Sequence, residues 1–253
     1  MPKFDNRNYR RQIGFTNQTN LKKFFKATDI LSINWEKIEK FNQRLKDIFC
    51  NVNQAVHPSV RWENMDEINQ AIDDAYTIMK KHNIFYRLNN YGRYPEDVYY
   101  NWMRGYIVCK FFSPALTKIF NIPDDNIKTV GHDSLTDADT FSQSPVADLE
   151  LVIDDSTIRL EVQSGYTGTN DIKAHKVREA RRSFQEEKIL SYVVHFDLFN
   201  GTMAIVNITN IDEDNVNWVT RSQMEGQKVF AIPSVAFRWF LPNEVPCYSD
   251  IIF

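Results

Sequence analysis

The sequence predicts a mixed α/β fold, a central sheet flanked by helices and preceded by a mainly helical N-terminal region. Three observations carry that expectation. Apolar residues recur at helical spacing through residues 1–94, short β-prone runs begin after Pro123, and from Pro95 the elements follow as helix, three strands, helix, strand, with one further hairpin strand. A chain of 253 residues, 43% hydrophobic and 25% charged, is long enough for one sizeable core and too apolar for long disordered tracts. No linker divides it. A single domain over 1–253 is expected, with an N-terminal lobe over 1–94, a core over 95–208 and a C-terminal extension over 209–253 that shows no evident chemistry.

In the N-terminal lobe Trp35, Ile38, Phe41, Leu45 and Ile48 share one helical face and are expected in the core. Asn64 is expected to cap a second helix, with Glu67 at capping-box spacing, a stripe of Ile68, Ile72, Ala75 and Met79, and Lys80 and Lys81 at the C-terminal end of its dipole. A third helix begins at Pro95, kinks or restarts at Ser113-Pro114 and ends near Asn121. The β-prone runs cover 127–130, 148–153 and 158–163, the last two joined by a turn at Asp154-Asp155-Ser156. Asn170 or Asp171 then caps a helix bearing Ile172, Val177, Ala180 and Phe184. A hairpin over 189–208 turns at Asn200-Gly201, a type I′ signature, and a further strand is expected at 228–232.

Charge and composition exclude several classes. With 30 Lys plus Arg against 33 Asp plus Glu, the net charge of −3 gives no general attraction to nucleic acid or to an anionic membrane, so phosphate contacts must come from local clusters. The longest apolar run, 189–199, is broken by Ser191, His195 and Asp197 and falls short of the ~20 residues a membrane span needs. The N-terminus lacks the apolar stretch of a secretion signal, and Cys50, Cys109 and Cys247 are expected as reduced thiols in a cytoplasmic protein. Neither CxxC nor HExxH occurs, so a structural zinc site is not expected. His132-Asp133 has the form of a phosphohydrolase metal pair but lacks the further histidines such a cluster requires; Asp133 reads better as a loop residue near the active edge of the sheet.

The chemistry concentrates in Ser144-Pro145-Val146-Ala147-Asp148-Leu149-Glu150 and Arg159-Leu160-Glu161-Val162-Gln163-Ser164-Gly165. A hairpin over 148–163 brings Asp148, at the start of one strand, to the same end of the sheet as Glu161, near the end of the next. Alternation puts Glu161 and Gln163 on one face and Leu160 and Val162 on the other. Asp148, Glu161 and the Val162 carbonyl are an oxygen set suited to Mg2+, a hard cation that keeps several waters and promotes phosphodiester hydrolysis.

That spacing resembles the PD-(D/E)XK nuclease superfamily, with Asp148 as the motif aspartate, Glu161 as the acidic residue and Gln163 where the motif has lysine. Pro145 lies three residues before Asp148 rather than next to it. The resemblance covers about the central hundred residues, and it implies a core of helix, three strands, helix and strand, the order read above. It also implies a type II restriction endonuclease of the Glu-x-Gln kind, cutting double-stranded DNA with Mg2+ and acting as a homodimer, with Asp148, Glu161 and Gln163 catalytic. A repair or recombination nuclease of the same fold and a non-catalytic DNA-binding module are the alternatives. Lys173, Lys176 and Arg178 on the following helix are candidate DNA-phosphate contacts, although a solvated face accounts for them equally well. The missing motif charge is expected either from metal ions or from Lys173 or Lys176.

Overall fold

The computed structural model describes residues 5–15, 17–26, 32–88, 93–123, 126–129, 148–153, 156–168, 170–211, 216, 218–221 and 227–253. His132, Asp133 and Pro145 lie outside them, as does the turn pair Asp154-Asp155.

The N-terminal region is helical. α1 (Asn6–Gln12) and α2 (Gln18–Lys26) precede three longer helices, α3 (Trp35–Ala55), α4 (Asp66–Lys81) and α5 (Pro95–Phe120). The Asn34 carboxamide caps α3 by accepting from the Lys37 amide at 2.9 Å. Its buried stripe is Ile38, Asn42, Leu45 and Phe49, turned slightly from the expected one: Phe41 is half-buried and Ile48 is 42% exposed. The shift follows from a polar pair that the apolar count overlooks. Tyr99 donates to the Asn42 side-chain oxygen at 2.6 Å, so Asn42 enters the core already hydrogen-bonded.

On α4 the stripe of Ile68, Ile72, Ala75 and Met79 is buried as expected, each large aliphatic contributing about 1.5–3 kcal/mol. Asn64 acts one residue early, accepting from the Asp66 amide at 2.9 Å, while Met65 holds the N-cap position without a side-chain bond. Helix α5 starts at Pro95 and ends where Asn121 turns left-handed, but it does not restart at Ser113-Pro114. Phe111, Phe112, Ala115 and Leu116 are all at most 1% exposed, and the Trp62 indole donates to the Phe111 carbonyl at 2.9 Å, so packing holds the turn that Pro114 weakens.

The main sheet holds six strands: β1 (Ile127–Thr129), β2 (Leu149–Ile153), β3 (Ser156–Gly165), β5 (Leu190–Asp197), β6 (Thr202–Asn207) and β9 (Phe237–Phe240), in the order β1-β2-β3-β5-β6-β9. Only β3 and β5 are parallel. A parallel neighbour requires a crossover, which is made by β4 (Asp171–Lys173) and α6 (Ala174–Glu187). The short β4 joins β8 (Gln227–Ala231) and β7 (Trp218–Arg221) in a second sheet. Neither β4 nor the return of β9 to the main sheet was expected from the sequence. α7 (Tyr248–Ile251) closes the chain.

Each face of the main sheet has its own apolar layer. Leu149, Leu151, Ile158, Leu160, Val162, Val194 and Phe196 pack with the helices, and the Phe112 and Phe196 rings stack at 3.9 Å. Val193, Ala204 and Val206 on the opposite face pack with Ile172, Val177, Ala180 and Phe230. The chain is thus a mixed α/β structure of helices, sheet, and α6 with a second sheet. Among the described residues no helix is long and apolar enough to cross a membrane.

The hairpin between β5 and β6 corrects the expected two-residue turn. Asp197 pairs with Thr202, which leaves four residues in the loop, and of Asn200 and Gly201 only Gly201 has positive φ, at 64°. The Asp197 carboxylate accepts from the Phe199 and Asn200 amides, each at 3.1 Å, and so curls the chain before Gly201. Nothing lies within 4 Å of a Cβ built on Gly201. Gly201→Ala should therefore cost only the left-handed backbone, about 1 kcal/mol, and a urea midpoint unchanged by the substitution would contradict this.

Candidate active site

The site grows out of the alternation of β3. Thr157, Arg159, Glu161 and Gln163 line the face that α6 covers, while Ile158, Leu160 and Val162 point into the helical core. Helix α6 lies along that polar face. Near its C-terminal end Arg159 reaches Glu187 at 3.2 Å and Ser183 at 3.4 Å, and Arg159 also meets Glu150 of β2 at 3.5 Å. Near its N-terminal end the Lys176 ammonium donates to Glu161 Oε2 at 2.7 Å, with both side chains only 16% exposed. Lys176, offered by the sequence both as a DNA-phosphate contact and, with Lys173, as a source of the missing motif charge, thus meets the motif carboxylate.

Asp148 immediately precedes β2. Its amide donates to the Leu160 carbonyl at 3.0 Å, the same residue that Leu149 pairs with, so the regular register ends at Leu149 and Asp148 sits at the irregular end of the hairpin. Asp148 Oδ2 accepts from the Val162 amide at 2.7 Å, which ties the carboxylate to the middle residue of Glu161-Val162-Gln163. Its charge is felt on α5: burial first, and the Asp148 carboxylate second, push the Cys109 thiol up to about 12.

Gln163 is half-buried beside His195, its register partner on β5. His195 and Asp197 open a polar cluster that the sequence reading passed over as interruptions in an apolar run. His195 Nε2 lies 2.7 Å from Asn170 Oδ1, and Asn170 Nδ2 donates to Asp197 Oδ2 at 3.1 Å. The available signal was period two: His195 and Asp197 fall on the same strand face as Val193, toward Glu161 and Gln163. A second feature also went unremarked. Tyr166, just beyond β3, is 55% exposed with the Arg104 guanidinium 5.1 Å from its ring centroid.

The expected cap of α6 is corrected. Asn170 serves His195 and Asp197, and Asp171 makes a two-pronged ion pair with Arg221 at 2.8 and 3.0 Å, so neither caps the helix. Pairing of 171–173 with β8 decides the matter, and α6 begins at Ala174 with no side-chain cap. Ile172 is buried in β4, and Phe184 is 38% exposed. Lys173 is half-buried in that strand and Arg178 is exposed. The positive field at this end is visible in His175, whose pKa is lowered by burial first and then by Lys173, Lys176 and Arg178.

Among the described residues no group of three or more His, Cys, Asp or Glu side chains could hold a metal ion. Asp148 and Glu161 are the two carboxylates that the motif names at this end of the hairpin, and a further protein ligand would have to be a main-chain oxygen such as that of Val162. Two hard carboxylates, one carbonyl and several waters match the coordination habit of Mg2+ and not that of zinc. No family model matches the chain, and no curated protein matches it.

Proposed function

We propose that this protein is a Mg2+-dependent nuclease of the PD-(D/E)XK kind, and specifically a type II restriction endonuclease acting on double-stranded DNA. The observation that carries the reading is the Asp148 carboxylate tied at 2.7 Å to the amide of Val162, between Glu161 and Gln163 at the β2–β3 hairpin end, with the Lys176 ammonium 2.7 Å from Glu161. The order α5, β1, β2, β3, α6, β5, interrupted only by the short β4 of the second sheet, supports it, because helix, three strands, helix and strand is the order the motif resemblance implies.

In this reading Asp148, Glu161 and the Val162 carbonyl would hold Mg2+, which would lower the pKa of water and polarise a phosphodiester oxygen. The water oxygen would bond to phosphorus as one P–O bond breaks, the water's proton passing to solvent and the departing oxygen taking one up from it. Gln163 accepts a hydrogen bond from the attacking water and so fixes its direction. Lys176 supplies, from the helix, the positive charge that the motif strand lacks, and it does so in a half-shielded site where charge counts for more than in water. Two copies related by a two-fold axis would cut both strands of a palindrome, so a homodimer is part of the proposal.

The deciding experiment incubates the protein with phage DNA and Mg2+ and maps the fragment ends. Discrete ends at one short sequence support a restriction enzyme, ends scattered over branched or damaged DNA support a repair nuclease, and intact DNA overturns both. If the N-terminal end of α6 also faces the duplex, Lys173→Ala and Arg178→Ala should weaken specific and random DNA alike and flatten the salt dependence by about one unit of slope per lost contact. Unchanged slopes would assign these cations to solvent.

A further inference from the structure

We infer that His195 is a positioning residue for Gln163: its buried, unpartnered Nδ1 takes a hydrogen bond from the Gln163 amide when that side chain turns toward it, which points the Gln163 oxygen toward the reacting water. The inference rests on the nuclease reading for its consequence, while the buried, unpartnered Nδ1 beside Gln163 stands independently of it.

The argument runs outward from Asp197. This residue is 2% exposed, and its carboxylate accepts from the Phe199 and Asn200 amides, from Asn200 Nδ2 at 2.8 Å and from Asn170 Nδ2 at 3.1 Å. Burial alone would raise its pKa, but those hydrogen bonds outweigh burial and hold it below the usual carboxylate range. An ionised carboxylate only accepts, so the donor end of the Asn170 amide is committed to Asp197. The acceptor end, Oδ1, therefore faces His195 Nε2 at 2.7 Å and requires a proton there.

His195 has one ring proton to give. It is 3% exposed, and burial lowers its pKa to about 4 against the opposing charges of Asp197 and Asp171. With that proton on Nε2, Nδ1 is a bare lone pair. It is buried and has no partner among the described residues, and a buried acceptor in that state calls for a donor.

The neighbours of His195 narrow the choice of donor. Its register partners are Ala204 on β6 and Gln163 on β3, and the Phe237 ring meets its own edge-on at 6.1 Å. The layer above holds Ile172, Val177 and Ala180. Of these only Gln163 carries side-chain N–H groups. Strand neighbours lie about 4.8 Å apart with side chains on the same face, so a rotation of the Gln163 side chain, which does not make this bond as it stands, brings its amide to Nδ1. Committing the Gln163 nitrogen to His195 leaves its oxygen to accept. The relay from Asp197 through Asn170 and His195 thus fixes which end of an otherwise reversible amide meets water, and it presents an acceptor oxygen that a lysine at the motif position would lack.

The test begins with the 15N-labelled full-length protein and long-range 1H–15N correlation of its histidines, with no DNA present. The expected result is a neutral His195 protonated on Nε2, whose Nδ1 resonance moves downfield in Gln163→Leu while the backbone amides of Val193 and Ala204 stay in place. A proton on Nδ1, or an Nδ1 resonance indifferent to Gln163→Leu, overturns the inference, the latter pointing to a buried water as partner. Single-turnover cleavage supplies the second arm. His195→Leu and Gln163→Leu should each slow the chemical step by on the order of tenfold to a hundredfold, with DNA affinity in Ca2+ unchanged. The double variant should be no slower than either, and His195→Asn, which restores an acceptor, should recover part of the rate. Independent, multiplying losses would overturn the relay. Absence of any cleavage by the unmodified protein would sink the nuclease reading alone, leaving the resonance measurement to decide the His195–Gln163 bond.

Discussion

Asp148→Asn will abolish Mg2+-dependent cleavage, by at least on the order of 10²–10³-fold in the single-turnover rate, while the fold and DNA binding in Ca2+ persist. The substitution keeps volume and keeps an oxygen able to accept from the Val162 amide, so the β2–β3 junction loses little. What it removes is one of two negative charges available to a divalent cation. A second readout checks that the charge was where the geometry puts it. Because the Asp148 carboxylate is the second cause, after burial, of the raised Cys109 pKa, the thiol of the variant should titrate lower than the wild-type value near 12. Cleavage by Asp148→Asn at a near wild-type rate would remove Asp148 from the site, and loss of folding would make it a structural aspartate.

Glu161→Ala is expected to be as inactive but less innocuous. It strips the partner from Lys176 in a pair whose members are each 16% exposed, so a stability loss of about 1–2 kcal/mol should accompany the loss of cleavage. Glu161→Gln, which keeps an acceptor for Lys176, separates the two effects. Retained cleavage with Glu161→Gln would exclude this carboxylate as an essential ligand.

What the sequence made legible was whatever repeats with a period or sits within a few residues of its partner. The α4 stripe, the Pro95 start of α5 and the β2–β3 hairpin are of that kind, and the hairpin brings Asp148 to the sheet end that carries Glu161-Val162-Gln163 with no knowledge of the rest of the fold. What stayed hidden depends on partners far along the chain. Residues 171–173 read as a helix start because Asn170 and Asp171 are good caps in isolation; their role is set by Ala231, Phe230 and Val229 of β8 and by Arg221, about fifty residues later. The Asn200-Gly201 turn was misread for a related reason, since the Asp197 side chain competes for the loop amides and changes the turn type. The inward turn of Lys176 needed the packing of α6 along β3. Spacing alone named it only as one of two candidates, and no periodic pattern separates an ammonium facing a carboxylate from one facing water.

Lys176→Met will slow the maximal single-turnover cleavage rate by on the order of 10²–10³-fold while lowering the Mg2+ concentration needed for half-maximal rate. The opposite signs come from the same contact. With Nζ at 2.7 Å from Glu161 Oε2, the ammonium competes with a divalent cation for the carboxylate, so its removal leaves Glu161 fully available and tightens cation binding. The same removal takes away a positive charge beside a phosphodiester that gains negative charge in the transition state, and Gln163 is neutral and cannot replace it. A lysine that merely braced α6 against β3 would give another pattern, a lower melting temperature with rate and Mg2+ dependence changed little. Lys173→Ala serves as the internal comparison, because Lys173 lies in β4 opposite Val229 and its loss should leave both cleavage parameters near wild type. An unimpaired Lys176→Met would transfer the compensating charge to metal ions, and an impaired Lys173→Ala would move it one helical turn back along the chain.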